Sequence, residues 1–187
     1  MTLSNLASAS VVICAYTEDR WDSIVRALEG VSQQTHQPRD VILAVDHNSA
    51  LAARFTAELV PRFPSLTVAL ENEGPSGIGS ARNVGIAHSR GDVVVFLDDD
   101  AAPQTQWLEE IVRPFADLTV GVVAGLVTPV WVGAKGAPRW LPPEYYWVMG
   151  ATWRGFGSDA NDIRNPIGAS MAIRRELLEK VGGFDLG

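Results

Sequence analysis

Three consecutive aspartates, Asp98-Asp99-Asp100, follow directly on the apolar run Val93-Val94-Val95-Phe96-Leu97. Two carboxylates about 4 Å apart at an effective dielectric near 20 repel by roughly 4 kcal/mol. A fold relieves that repulsion by protonating one group, by splaying both into solvent, or by supplying a cation. On an extended backbone neighbouring side chains point to opposite sides, which predicts that Asp98 and Asp100 share one side and Asp99 faces the other. Paired carboxylates with no amide or cysteine ligand beside them suit a hard divalent ion, Mg2+ or Mn2+, whose other positions are filled by water and phosphate oxygens. The plainer use of the same residues is a solvated acidic turn ahead of the next helix. Two more residues bring chemistry to such a site. Asp46 ends a second apolar run and can accept from a base N–H. Arg82 offers a planar fork of donors to a base carbonyl or a diphosphate, and its charge offsets the aspartates.

The elements that must position these residues alternate along the chain. Strands are predicted over 10–15, 41–45, 66–70 and 93–97. Helices are predicted over about 21–34, 51–63 and 77–88, the first with Ile24, Ala27, Leu28 and Val31 on one face. A fourth helix is expected from Pro103, at its N1 position, to about Phe115. The run 93–97 shows no alternation, as expected of a strand buried on both faces. This pattern implies an α/β fold: a mostly parallel sheet with right-handed crossovers and helices on both faces, a three-layer sandwich. Ligands in such sheets bind at the carboxyl ends of the strands. That edge carries residues 16–19, 46–49, 71–77 and 98–100. After Val127 the texture changes: Trp131, Trp140, Tyr145, Tyr146, Trp147 and Trp153 stand among prolines. Residues 165–173 return to a strand-like run, and a short helix over 174–181 is ended by Gly182-Gly183.

With 187 residues, 47% of them hydrophobic, the chain can bury a core of its own, and one domain is expected. The formal net charge of −7 argues against a nucleic-acid partner bound through its phosphates. The single cysteine, Cys14, sits in an apolar run and has no intrachain partner, so core packing and a reducing, cytoplasmic setting are expected. No positive n-region precedes an apolar h-region at the start of the sequence. The uncharged stretch 118–134 is Val-rich and broken by Gly121, Gly125, Pro129 and Gly133, which predicts strands rather than a bilayer span. Peripheral contact with the inner face of the membrane is compatible with this composition.

Several segments, taken in order, resemble the family 2 glycosyltransferases of the GT-A fold, across essentially the whole chain. Val11-Val12-Ile13-Cys14-Ala15-Tyr16-Thr17-Glu18 resembles the family's first strand and donor loop, with Cys14 in place of the usual Pro. The stretch from Val41 to Asp46-His47-Asn48-Ser49 resembles its second strand. Gly79-Ser80-Ala81-Arg82-Asn83-Val84-Gly85 resembles the A-R-N-x-G helix, and Phe96-Leu97-Asp98-Asp99-Asp100 the DxD metal motif. Residues from Gly168 to Arg175 and Gly182-Gly183-Phe184-Asp185 resemble the acceptor-side strand and helix end. The resemblance implies one GT-A domain over 1–187, with a nucleotide-binding half over 1–102 and an acceptor-side half over 103–187. It implies a nucleotide-sugar site formed by Ala15, Tyr16, Glu18, Asp46, Arg82, Asp98 and Asp99. In it Asp46 recognises the base, Asp99 meets the ribose, and Asp100 with Asp98 holds Mn2+ or Mg2+.

The implied reaction is hexosyl transfer, with inversion, from a nucleotide diphosphate sugar (UDP-sugar favoured) to a hydroxyl of a glycan or lipid-linked acceptor, in the making of a cell-envelope glycan. The Trp-rich segment resembles that of a subgroup acting on lipid-phosphate-linked sugars, including glucuronosyl transfer. The family's general base lies beyond the Gly-Gly-Phe-Asp match, so the resemblance implies a domain cut short at Gly187 and a catalytic base not among these residues. Glu144, Asp159 and Asp162 are the weak substitutes. The alternative reading is a non-catalytic nucleotide-sugar-binding module, whose donor side would look the same. A phosphatase of the haloacid-dehalogenase type would carry its Asp-x-Asp near the start of the domain. A dinucleotide-binding oxidoreductase would need a glycine where Arg82 follows Gly77-Ile78-Gly79.

Overall fold

The computed structural model describes residues 6–71, 73–131, 133, 136–152 and 165–186. Four parallel strands form its centre: β1 (Ala9–Ala15), β2 (Asp40–Asp46), β3 (Leu66–Glu71) and β4 (Val93–Asp98). Two more, β5 (Val122–Ala124) and β6 (Ser170–Arg174), complete a six-stranded sheet in the order β3-β2-β1-β4-β6-β5. β6 pairs antiparallel with both β4 and β5. The mostly parallel α/β architecture expected from the alternation is therefore present, with an antiparallel edge added by β6 and β5.

The strands are buried on both faces because their side chains alternate into two separate cores. Val11, Ile13, Leu43, Val93 and Val95 face a cluster with Ile24, Leu28, Phe55 and Leu108. Val12, Ile42, Val94 and Phe96 face a second cluster with Met171, Ile173 and Leu178. The first core is covered by α1 (Trp21–Ser32), α2 (Ser49–Glu58) and α4 (Trp107–Val112). On the other face lie α3 (Ile78–His88) and α5 (Arg175–Val181). Helix α1 buries Ile24, Ala27, Leu28 and Val31, the face its periodicity marked.

Helix α3 approaches the sheet closely at Gly85, where an added Cβ would collide with the Val12 side chain of β1. Only a residue without a side chain lets the helix sit that near.

One expected boundary is corrected. Pro103 is not at the start of a helix; α4 begins at Trp107 and is continued by a 3-10 turn, Arg113–Ala116. Pro103 instead packs on Gly30 of α1. The start of α4 is fixed by the buried side chain of Gln34. Its amide donates to the carbonyls of Gly30 (2.9 Å) and Gln104 (2.8 Å), and its oxygen accepts from Leu108 N (2.8 Å). Helix α2 also stops short of the expected Phe63, at Glu58, in a succession of turns. Of the strands expected over 118–134, the described residues form β5 alone.

Candidate functional site

Going outward from β1 the chain lays down β2 and β3 on one side, then returns to place β4 on the other. The reversal opens a crevice at the carboxyl ends of β1 and β4, where Cys14 lies opposite Asp98 in register. A cleft of about 1520 Å³ occupies it, lined by Ala15, Tyr16, Arg20, Asp46, Arg82 and the three aspartates, together with Trp107, Trp131 and Met149. Every expected donor-site residue except Glu18 lines this cleft. Glu18 lies in a 3-10 turn, Glu18–Arg20, and pairs with Arg54 at 3.4 Å.

The strand-end loops are tied to one another. Asn48 accepts from Leu51 N (3.0 Å), capping α2, and donates to the carbonyl of Tyr16 (3.1 Å). Arg54 lies 3.8 Å over the Trp21 ring, which stacks on Phe55 at 5.3 Å. His47 has φ 47°, and its N–H donates to Glu71 O at 2.8 Å.

Asp46 is held by three donors: His47 Nδ1 at 2.6 Å on one oxygen, Ser76 Oγ at 2.8 Å and Gly77 N at 3.0 Å on the other. Burial works to raise its pKa, but these donors outweigh it and hold the carboxyl below the ordinary value. His47 is raised in turn by the same bond. Gly77 caps α3 with φ 145°, a conformation that glycine adopts without strain.

Arg82 sits on the second turn of α3, with its guanidinium 5.6 Å from the Phe96 ring and 5.2 Å from the Phe184 ring. The absent side chain of Gly168 leaves it room. The neighbouring Asn83 fixes this platform by a reciprocal pair: its amide donates to Phe184 O (2.9 Å) and its oxygen accepts from Phe184 N (2.8 Å). In the A-R-N-x-G segment the arginine therefore faces the cleft, the asparagine clamps the distant Phe184, and the glycine admits the helix to the sheet.

The three aspartates are not arranged as a continuing strand. β4 ends at Asp98, and a turn closed by Ala101 N to Asp98 O (3.1 Å) carries Asp99 and Asp100. Strand alternation therefore does not reach Asp100. Burial raises the Asp98 pKa; the Arg82 charge opposes it, and Asp100 and Asp99 add to it. Asp99, expected at the ribose, is turned inward with its side chain 4% exposed and its Oδ1 2.6 Å from Arg20 Nη1. Burial raises its pKa and the Arg20 bond opposes the shift. Its Oδ2 is buried without a hydrogen-bond partner among the described residues. Asp100 is 58% exposed, with Oδ2 3.5 Å from the same Arg20 nitrogen.

Arg20 is the residue that sequence reasoning missed. Its only signal was its position, in the loop after β1 that a parallel sheet brings to this edge. Cys14, expected as core, packs partly against the second core but also lines the cleft. Burial pushes its thiol up to about 12, so it is an inert wall rather than a nucleophile. Among the substitutes considered for a base, Glu144 is exposed in the 3-10 turn Pro143–Met149, away from the cleft lining. Asp159 and Asp162 lie outside the described residues.

No group of three or more His, Cys, Asp or Glu side chains able to hold a metal occurs among the described residues. The site fits a divalent ion only in the form where one or two carboxylates share it with phosphate oxygens and water. The exposed Asp100 carboxylate, which lines the cleft together with Asp98, is consistent with that form.

Residues 10–182 match the family model described as Glycosyl transferase family 2. Glucosyl-dolichyl phosphate glucuronosyltransferase of Haloferax volcanii is 34% identical over 179 residues, 94% of this chain and 55% of that protein. Glycosyltransferase AglE of the same organism is 33% identical, over 97% of this chain and 57% of that protein. Among solved structures, a mannosyltransferase of Pyrobaculum calidifontis in complex with GDP-Man and Mn2+ is similar with a TM-score of 0.69 and 26% identity, over 98% of this chain and 49% of that one. S. aureus TarS shares the fold, with a TM-score of 0.66 at 16% identity over 95% of this chain and 50% of that one. The chain thus spans about half the length of these relatives.

Proposed function

The chain belongs to glycosyl transferase family 2 and has a GT-A fold, and from that premise we propose that its cleft binds the nucleotide diphosphate sugar of a sugar transfer. The observation that carries this reading is the convergence of Arg82, Arg20 and the acidic turn after β4 on one crevice between β1 and β4. A nucleoside diphosphate needs cationic groups for its phosphates and acceptors for its base and ribose hydroxyls, and this crevice offers both.

In the proposed complex the base lies along Ala15 and Tyr16. Asp46, already ordered by its three donors, stands at the base end of the crevice. Arg82 faces the diphosphate, its guanidinium packed against two aromatic rings so that little freedom is lost on binding. Asp100, with Asp98 beside it, would hold Mn2+ or Mg2+, which supplies charge neutralisation for the departing nucleoside diphosphate. The acceptor hydroxyl forms a bond to the anomeric carbon as the bond to the diphosphate oxygen breaks, with inversion. Its proton leaves to a general base outside the described residues. For the acceptor we propose a lipid-linked sugar, with hexosyl or hexuronosyl transfer at the cytoplasmic face of a membrane. The name of the glucuronosyltransferase relative supports this. So does the exposure of Trp140 (79%), Tyr145 and Trp147 beyond the rim. No helix among the described residues is long and apolar enough to cross a membrane.

Calorimetry with UDP and GDP, each with and without Mn2+ or Mg2+, tests the donor site. Binding is expected only with the metal, UDP being favoured. Asp100→Ala is expected to abolish the metal's contribution, weakening binding at least about tenfold, or roughly 1.4 kcal/mol. Undiminished metal-dependent binding by that variant would overturn the assignment.

A further inference from the structure

The geometry points to Arg20 as the resident cation of the acidic turn: it holds Asp99 and guards Asp100, so that a divalent cation enters only together with a nucleoside diphosphate. The inference rests on the donor-site reading above and adds to it a positioning residue and an interdependence of binding.

Arg20 engages its two partners unequally. The bond to Asp99 is 2.6 Å long and its acceptor is almost fully buried. The approach to Asp100 is 3.5 Å and its partner is largely in solvent. The donors to Asp99 are Arg20 and its own backbone N–H, and its Oδ2 lacks any hydrogen-bond partner among the described residues. If Arg20 left, a buried carboxylate would stand bare, which a folded protein avoids. Arg20 is therefore fixed near Asp99, and its charge cannot be removed by deprotonation.

A divalent cation arriving alone at Asp100 meets this fixed positive charge a few ångströms away. A nucleoside diphosphate changes that balance, because it carries negative charge that both cations can share. The Arg20 side chain is 40% exposed at the cleft wall, 5.9 Å from the Tyr16 ring. Its remaining N–H donors are available to phosphate oxygens. Metal and nucleotide then bind as partners, each raising the other's affinity by the same factor.

The test measures Mn2+ alone, by the paramagnetic resonance signal of the free ion, and UDP and GDP with and without Mn2+ by calorimetry. The wild-type chain is expected to bind Mn2+ weakly alone and strongly with nucleotide. Arg20→Gln keeps a donor for Asp99 but removes the charge. It is expected to bind Mn2+ alone about tenfold more tightly, and to lose a similar factor of metal–nucleotide coupling. Arg20→Lys keeps the charge and is expected to behave as wild type. Should Arg20→Gln fail to fold, Arg20→Gln combined with Asp99→Asn is measured against Asp99→Asn alone, the two differing only in the Arg20 charge, and is expected to bind Mn2+ alone about tenfold more tightly than that parent. An unchanged or weaker affinity of these neutral variants for Mn2+ alone overturns the proposal, while wild-type binding of Mn2+ with UDP or GDP leaves the donor site standing. If the wild type binds neither pair, the donor-site reading falls, and this inference with it.

Discussion

The carboxylate of Asp46 takes three hydrogen bonds before any ligand arrives. Because its folded pKa lies below the value of an unfolded aspartate, near 3.9, the bonds stabilise the fold fully above that pH. The stabilisation is lost as pH falls through the depressed folded value. Asp46→Asn should accordingly melt below the wild type at pH 7, and the gap should close as the medium is acidified into the carboxylate range. A gap of the same size at pH 3 would show that packing rather than charge is responsible. At this scale the sequence was informative about residue type and weak about orientation. Asp46, Arg82 and Asp98 follow apolar runs or sit on a periodic helix, so their edge of the sheet was legible. The inward turn of Asp99 was not, because it depends on the turn that follows Asp98 and on a partner 79 positions away.

Among the elements, α4 shows how a long-range side chain can set a boundary that local signals misplace. Pro103 is a plausible first helical residue, yet Gln34 draws the Gln104 carbonyl and the Leu108 amide to itself, and the helix starts at Trp107. A side-chain oxygen on an early helical N–H does what a local cap would do. Gln34→Met keeps the volume and removes three hydrogen bonds, leaving the Leu108 amide buried and unpaired. About 1–3 kcal/mol of stability should be lost, read as a lower urea midpoint at constant slope. A loss below about 0.5 kcal/mol would mean that the helix start is held by apolar packing instead. The central strands were legible to within a residue or two, because burial on both faces leaves short unbroken apolar runs between polar turns. The antiparallel insertion of β6 between β4 and β5 was not, since nothing in a local pattern states which neighbour a returning strand will choose.

For the molecule as a whole, the earlier and later parts of the chain meet along β4 and β6 and again where Asn83 grips Phe184. That grip joins positions 101 residues apart. Its bonds are partly buried, and the residues that follow Phe184, Asp185 and Leu186, are exposed. With β6 already paired to β4, what holds this segment is two hydrogen bonds and the edge contact of Phe184 with Phe96 at 5.3 Å, few contacts beside those of the central strands. The grip is therefore a late event in folding and an early one to open. Amide exchange should show Phe184 unprotected at times when the β4 amides are still closed, and Asn83→Ala should remove its protection while sparing β4. Equal protection of Phe184 and β4 would mean that the segment opens only with the whole domain. Phe184 is also one of the two rings that floor Arg82. Any opening of the Phe184 segment would take that ring from the guanidinium, so the lifetime of the docked segment would set how long the arginine stays aimed.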